Sequence, residues 1–421
     1  MKIEYLTHAS VLIESGGVRL VTDPWLVGPS WGGNLWHFPP PICAPEQLPK
    51  LDYIYFSHAH DDHFHPESVA RLSAENKEAC VLIPGFAGAW FEKLLRDHGF
   101  RNIRILAHDE TIELTSDTSL QMFLNDKGDI DSSIMIREAE YTAFFQTDNL
   151  MSLEEAARIG AYNDIDIAFV MAVQTGIFPA FYDFPPDKMK QMARAKAEHS
   201  LDYCTQVVER LSAKIIVPYA GDICYLGELY FANDLHRINR DIVTAHLKRT
   251  LPKVRVEPMM PGDIFESVGN RFTHGASVSS PSLDGYAATM ADAVADVEAD
   301  ERKYMNQDYR QDVAKFLGGV DRAAKKWSGE TFSVLWCITD PHHAQTFYAQ
   351  ELPKACVPAD GTAHYDLRVE IPTYRLQRLV RGDYPMGTMT FWNGSIRCHR
   401  HTDGLTPLES AFWRLFFEVR P

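Results

Sequence analysis

The stretch His58-Ala-His60-Asp-Asp62-His63 gathers four metal-donor side chains of two kinds directly after the apolar run Leu51 to Phe56. Two histidines one residue apart at a strand end project to the same side. Asp62 and His63, on the turn that follows, reach a second position a few ångströms away, so the spacing can build two adjacent metal sites. Imidazole nitrogen suits zinc and iron, and carboxylate oxygen hardens the set toward iron or manganese. The plain alternative is a solvated His-rich loop. The order H-x-H-x-D-H after an apolar strand argues against it.

The elements that must position this cluster can be read outward from it. Pro66 stands in a good first-turn position for a helix through Leu72, which puts the cluster on a strand-to-helix loop. Before it, Val11-Leu12-Ile13, Gly16-Gly17 and Val18 to Val21 read as a hairpin. After it, strands are expected at Cys80 to Ile83, Ile103 to Leu106, Thr118 to Leu124, Ser133 to Ile136, Thr142 to Gln146, Ile165 to Met171 and Lys214 to Pro218, with a helix from Pro186 to Leu211. Many strands with interleaved helices predict the α/β class and a four-layer αββα sandwich. From Ile264 to Pro281 the composition shifts to Gly, Ser, Asn and Thr, which reads as a linker. A catalytic domain over 1–265 and a smaller α+β C-terminal domain over 266–421 follow. The latter shows helical spacing at Ala287 to Tyr304, Gln307 to Lys326 and Leu405 to Phe417, and strand patterns at Phe332 to Ile338 and Tyr365 to Ile371.

The bulk composition agrees with two domains, since 421 residues exceed one ordinary core. A formal charge of −16 argues against nucleic acid, whose binding draws on Lys and Arg neutralising phosphate. Bound cations would offset part of that charge. Cys43, Cys80, Cys204, Cys224, Cys337, Cys356 and Cys398 form no C-x-x-C pair and read as reduced thiols. The chain opens straight into a strand pattern and holds no apolar run of membrane-spanning length, so a cytoplasmic protein without membrane contact is expected.

The cluster and the strands around it resemble the metallo-β-lactamase superfamily over roughly residues 1 to 265. That resemblance implies three further ligands downstream. The bridging carboxylate is matched by Asp148 in Phe144-Phe-Gln-Thr-Asp148-Asn149. Two histidines of the family pattern are missing, and by position Asp126 in Asn125-Asp126-Lys127-Gly128 and Asp222 in Pro218-Tyr-Ala-Gly221-Asp222 stand in for them. Asx-turn and capping roles are the ordinary alternatives for both. The implied metal set is His58, His60, Asp62, His63, Asp126, Asp148 and Asp222. Asp62, Asp148 and Lys127 are the catalytic candidates, Lys127 as a holder of an anionic substrate group or as an offset to the carboxylates.

Within the superfamily, the chain is similar to the catalytic domain of CMP-N-acetylneuraminate hydroxylase and its bacterial relatives. The similarity is carried by Asp23-Pro24-Trp25-Leu26, Gly28-Pro29, Asn34-Leu-Trp36-His37, Asp129-Ile-Asp131-Ser-Ser133, Gly176-Ile-Phe178-Pro179 and Pro218-Tyr-Ala-Gly221. Such a hydroxylase also carries a Rieske domain. Cys398-His399-Arg-His401 offers one of the two ligand pairs that a Rieske cluster needs, so no Rieske domain and no internal electron relay are expected. Thr7-His8-Ala-Ser10 with Asp23 is similar to the lactonase and phospholipase branch, which implies His8 and Asp23 as orienting partners behind the ligands. The related enzymes build site walls where Trp31, Trp36, His37, Phe178, Phe181 and Tyr182 lie. Packing against the body is the alternative for these aromatics.

A carboxylate-rich set favours two iron ions and oxygen activation on a small polar metabolite, with an external electron donor. The competing chemistry is a zinc or manganese hydrolase of an ester, lactone or phosphodiester, in which the metals acidify a bridging water. A metal-free binding protein on the same fold is the third reading, and homo-oligomers are compatible with all three. Tyr365 to Ile371, Leu376 to Val380, Gly382 and Met389 to Ile396 are faintly similar to sterol-carrier-like domains.

Overall fold

The computed structural model describes residues 1–86, 88–172, 178–236, 238–275, 282–384, 387, 394–402, 406–417 and 419. Strand pattern and sheet match closely in its first part. An eight-stranded sheet runs in the order Arg271–Thr273, Ile264–Glu266, Lys2–Thr7, Ser10–Ser15, Val18–Thr22, Tyr53–Tyr55, Cys80–Pro84 and Ile103–Leu106. A seven-stranded sheet runs in the order Arg255–Val256, Ile215–Tyr219, Ile167–Met171, Tyr141–Phe145, Ser132–Glu138, Thr118–Leu124 and Thr111–Glu113.

Alternation along the strands decides which residues meet between the sheets. Val11 and Ile13 face Ile134, Ile136 and Phe145 in the central core, whereas Leu12 and Met135 point outward. Outside one sheet, Met135 and Phe144 pack under the helices Leu153–Tyr162, Pro186–Leu211 and Arg240–Thr250. Outside the other, Leu12 and Val81 pack under Pro66–Ala70 and Gly88–Asp97. This is the expected αββα sandwich. It runs beyond the boundary at 265, because Arg271–Thr273 pairs with Ile264–Glu266 inside the first sheet. Gly and Asn in that stretch serve a tight hairpin rather than a linker, and 276–281 lie outside the described residues.

The C-terminal part is a five-stranded sheet ordered Val357–Ala359, Gln345–Leu352, Phe332–Thr339, Leu367–Pro372 and Arg397–Arg400, with helices Arg310–Ala324, Thr373–Arg381 and Pro407–Phe417. The stretch 389–393, part of the sterol-carrier-like pattern, lies outside the described residues. One apolar cluster joins this unit to the sandwich: Trp25, Trp31, Leu35, Phe181 and Tyr225 pack with Phe316, Trp336, Leu376 and Phe412. The helix Ala291–Glu301 presses on the loop after Trp31 so closely that a Cβ on Gly33, at φ 97°, would stand 2.3 Å from Val297 Cγ1. No described helix is long and apolar enough to cross a membrane, and all seven cysteines are free thiols.

Candidate metal centre

The ends of strands deliver every donor to one edge of the sandwich. His8 follows Lys2–Thr7, Asp23 follows Val18–Thr22, and His58 to His63 follow Tyr53–Tyr55. Across the core, Asp131 precedes Ser132–Glu138 and Asp148 follows its antiparallel neighbour Tyr141–Phe145. The two sheets are tied here, since Ser132 Oγ donates to the Ser57 carbonyl at 2.7 Å. His8, Asp23, Thr147 and Ala220 hold φ values of 44°, 37°, 55° and 53° at this edge. L-residues rarely adopt that region, and such strain gathers where side-chain direction is fixed for a purpose.

Seven donors converge as three overlapping triads: His58, His60 and Asp131; His58, His63 and Asp148; and His8, Asp62 and His63. Within each triad the donor atoms lie within 4.8 Å of one another. His58 Nε2 faces His60 Nδ1 at 2.8 Å and Asp131 Oδ1 at 3.4 Å. His63 Nε2 stands 3.4 Å from Asp148 Oδ2, and His8 Nε2 stands 3.8 Å from Asp62 Oδ2. His60 is half-buried and the other six are buried.

Behind the donors, one carboxylate sets the ring orientations. Asp23 Oδ2 accepts from His63 Nδ1 at 2.9 Å and from Ser57 Oγ at 2.7 Å, while Oδ1 accepts the Ser57 N–H at 2.8 Å. With its proton given to Asp23, Ser57 Oγ accepts from His58 Nδ1 at 2.9 Å. Both rings therefore carry hydrogen on Nδ1 and turn the Nε2 lone pair into the cavity, the arrangement by which outer partners prepare metal-binding imidazoles.

The chemistry of this set fits metal ions. Among the described residues, no hydrogen-bond partner reaches His8 Nε2, His60 Nε2, His63 Nε2, Asp62 Oδ1, Asp131 Oδ1 or Asp148 Oδ1, although all are buried. A buried polar atom left unpaired is costly, and several aimed at one space call for a shared partner. Burial pushes Asp62 up to about 6, with the Asp148 charge adding to it, and pushes Asp131 well above the usual carboxylate range. Burial holds His8 down at about 3 and His60 at about 4. His63 moves the other way, because Asp148 and Asp23 outweigh its burial. Asp148, although buried, is held below the usual carboxylate range by the His63 charge. The other imidazoles stay neutral beside two carboxylates that resist ionisation, so the pocket has little positive charge of its own and cations would supply more.

All seven donors lie within residues 2–149, the segment that matches the family model of the beta-lactamase superfamily domain. This segment is similar to that superfamily domain. Around it, the two packed sheets with outer helices form the αββα arrangement that the likeness implies. The chain is similar to a putative Rieske 2Fe-2S iron-sulfur protein of Mycolicibacterium smegmatis, 28% identical over 253 residues that cover 56% of this chain and 46% of that protein. It is also similar to the cytidine monophosphate-N-acetylneuraminic acid hydroxylase of Mus musculus, 27% identical over 270 residues that cover 58% of this chain and 45% of the hydroxylase. The chain thus spans about half the length of the curated relatives it matches. Among solved structures, CmlA, a diiron beta-hydroxylase from Streptomyces venezuelae, is 18% identical with a TM-score of 0.44, covering 65% of this chain and 54% of that one.

Several sequence expectations change at the metal centre. Asp126 is not brought to the centre: its Oδ1 accepts the Ser152 N–H at 2.8 Å. The cause is local, since buried Asn125 Oδ1 accepts from Lys127 N at 2.8 Å and Asp129 N at 3.2 Å, a turn that carries Asp126 outward. Asp131, five residues on, takes the place beside His58 and His60. Its signal was in the Asp129-Ile-Asp131-Ser-Ser133 motif, read there for likeness and not for ligation. Asp222 is also not a free donor, because Oδ1 accepts from Arg240 at 2.8 Å and Oδ2 from the Tyr5 hydroxyl at 2.7 Å. His8, expected behind the ligands, stands among the donors with Asp62 and His63. Asp23 stands behind the ligands as expected.

The remaining candidates fall outside the triads. Lys127 is exposed, its ammonium 5.9 Å above the Tyr203 ring. Trp31 borders the site, with its ring 5.2 Å from that of His60 and its backbone N–H donated to Asp61 Oδ2. His37 stacks on Trp25 at 3.7 Å and its Nε2 donates to the Trp25 carbonyl. Trp36 packs with Cys224, Leu226 and Tyr286. Phe178, Phe181 and Tyr182 belong to the cluster that joins the C-terminal unit, where the Tyr182 hydroxyl donates to Glu409. These four aromatics after Trp31, with His37, are packing residues here, because burying large apolar faces between the two units outweighs lining a polar cavity. His399 meets Asp183 and Glu370, His401 stacks on Tyr365, and buried Cys398 joins neither in a donor group among the described residues.

Proposed function

We propose that this chain is a metal-dependent oxygenase that holds two iron ions between the triads and hydroxylates a small polar substrate. The observation that carries this reading is the convergence of seven donors, six of them with a buried atom that meets no hydrogen-bond partner among the described residues. The curated relatives named for hydroxylation and for Rieske iron-sulfur chemistry support the redox reading and an external electron donor. When bound, the metals would supply oxygen activation, with nitrogen and carboxylate donors leaving positions open.

The chain's own residues set the conditions. Asp23 and Ser57 lock the His58 and His63 rings, and Asp148 lies in the middle triad, which shares His58 with one outer triad and His63 with the other. Trp31 packs against the His60 ring and joins the apolar cluster of the C-terminal unit, which shields this part of the centre from water. A specific observation keeps a second reading alive: with His8 the donors are four imidazoles and three carboxylates, richer in nitrogen than the sequence implied. That balance also suits zinc or manganese and a bound water attacking an ester, lactone or phosphodiester.

Metal analysis of protein purified without added metal, followed by oxygen uptake with a chemical reductant, tests the proposal. Iron with reductant-dependent oxygen uptake is expected. Zinc with oxygen-independent ester cleavage would replace it by the hydrolase reading, and an empty protein that resists loading would sink both in favour of a binding protein.

A further inference from the structure

We infer that the cavity between the loop 125–131 and the helix Pro186–Leu211 is a subsite for an anionic group of the substrate, a carboxylate or a phosphate. The role rests on the metal-centre reading above, but the binding chemistry does not. The cavity holds about 90 Å³, room for a small anionic group rather than a whole drug-sized molecule, and Lys127, Leu150, Met171, His199 and Tyr203 line it. Its lining includes three residues close along the chain to the donors or to the strands that carry them. Leu150 lies two residues past Asp148, Met171 ends the strand beside Tyr141–Phe145, and Lys127 lies on the loop that leads to Asp131.

Charge is arranged to suit an anion in a chain whose formal charge is −16. Lys127 Nζ hangs over the Tyr203 ring at 5.9 Å, across the mouth from the helix. His199 stands one turn before Tyr203 and offers ring N–H donors on the same face. The Tyr203 hydroxyl is tied to the Met151 carbonyl at 2.9 Å, which fixes the ring that positions the ammonium. The neighbouring Asp126 carboxylate is engaged by the Ser152 N–H. Leu150 and Met171 supply an apolar wall for the body of the molecule, so the geometry selects a ligand with one charged end and a less polar remainder.

The test is calorimetric titration of the full chain with inorganic phosphate and with benzoate, in metal-loaded and chelator-treated states, for wild type, Lys127→Glu and His199→Ala. Lys127→Glu is expected to weaken binding by about tenfold or more in both states, with metal content unchanged, since a charge-assisted contact becomes a repulsion. The stronger of the two probes assigns the group as phosphate or carboxylate. Binding that disappears with the metal and is indifferent to both substitutions would overturn the subsite, because the anion would then sit on the metal alone. If the protein takes no metal yet binds anions in a Lys127-dependent way, the subsite stands and the oxygenase reading falls.

Discussion

Asp23 Oδ2 accepts from His63 Nδ1 at 2.9 Å, and through Ser57 the same carboxylate also sets His58. Asp23→Asn leaves the size of the side chain but presents an amide where the ring N–H must donate. Metal affinity, read by competition with a chromogenic chelator, is expected to fall by roughly 10–100-fold. Unchanged affinity would mean that Asp23 only braces the strand end.

Asp131 and Asp126 separate cleanly by metal count. Asp131→Ala is expected to lose bound metal at the His58 and His60 side, whereas Asp126→Ala keeps the wild-type stoichiometry and gives up at most about 1 kcal/mol for one exposed hydrogen bond. Elemental analysis beside a urea titration reads both. Metal lost from Asp126→Ala instead would return the site to the assignment made by chain position.

The pair Asp222 and Arg240 is buried, at 3% and 7% side-chain exposure. Arg240→Met strands a carboxylate that keeps only the Tyr5 hydroxyl, and a broken buried pair typically costs about 3–5 kcal/mol. The denaturation midpoint should move accordingly while metal stoichiometry stays. Loss of metal without loss of stability would make Asp222 a ligand after all.

His37 supplies a pH signature. Its burial, only partly offset by the bond to the Trp25 carbonyl, holds its pKa well below the ordinary imidazole value. As pH falls through the imidazole range the unfolded chain takes up the proton first, so this contribution to stability is complete above that range and is lost beneath it. Melting temperatures in the presence of chelator, compared at pH 8 and pH 5, should fall less steeply for His37→Gln than for wild type. Equal slopes would show that His37 is protonated in the folded state.

The His58 to His63 cluster was legible because its geometry is local: one strand end and one turn fix it. The sandwich was legible because alternation is written in every strand, as in Val11, Leu12 and Ile13. Asp131 and His8 were not, since their place depends on how two sheets stack at one edge and on an Asn125 turn that rotates its neighbour away. Asp222 misled for a related reason: nothing near it in sequence announces that Arg240, eighteen residues on, will claim it. For the aromatics from Trp36 to Tyr182, cavity wall and packing stayed open in the sequence because the C-terminal unit against which Phe181 and Tyr182 pack lies far along the chain.

The contact of Gly33 with Val297 has a consequence for cooperativity. A loop that cannot tolerate even a methyl group against the C-terminal helix gives that helix no room to leave without disturbing Trp31. Heating should therefore produce one calorimetric transition instead of two, and a protein cut near residue 275 should expose the aromatic seam and precipitate. The division visible in the sheets is one of architecture, and the shared apolar cluster is expected to make the two parts unfold together.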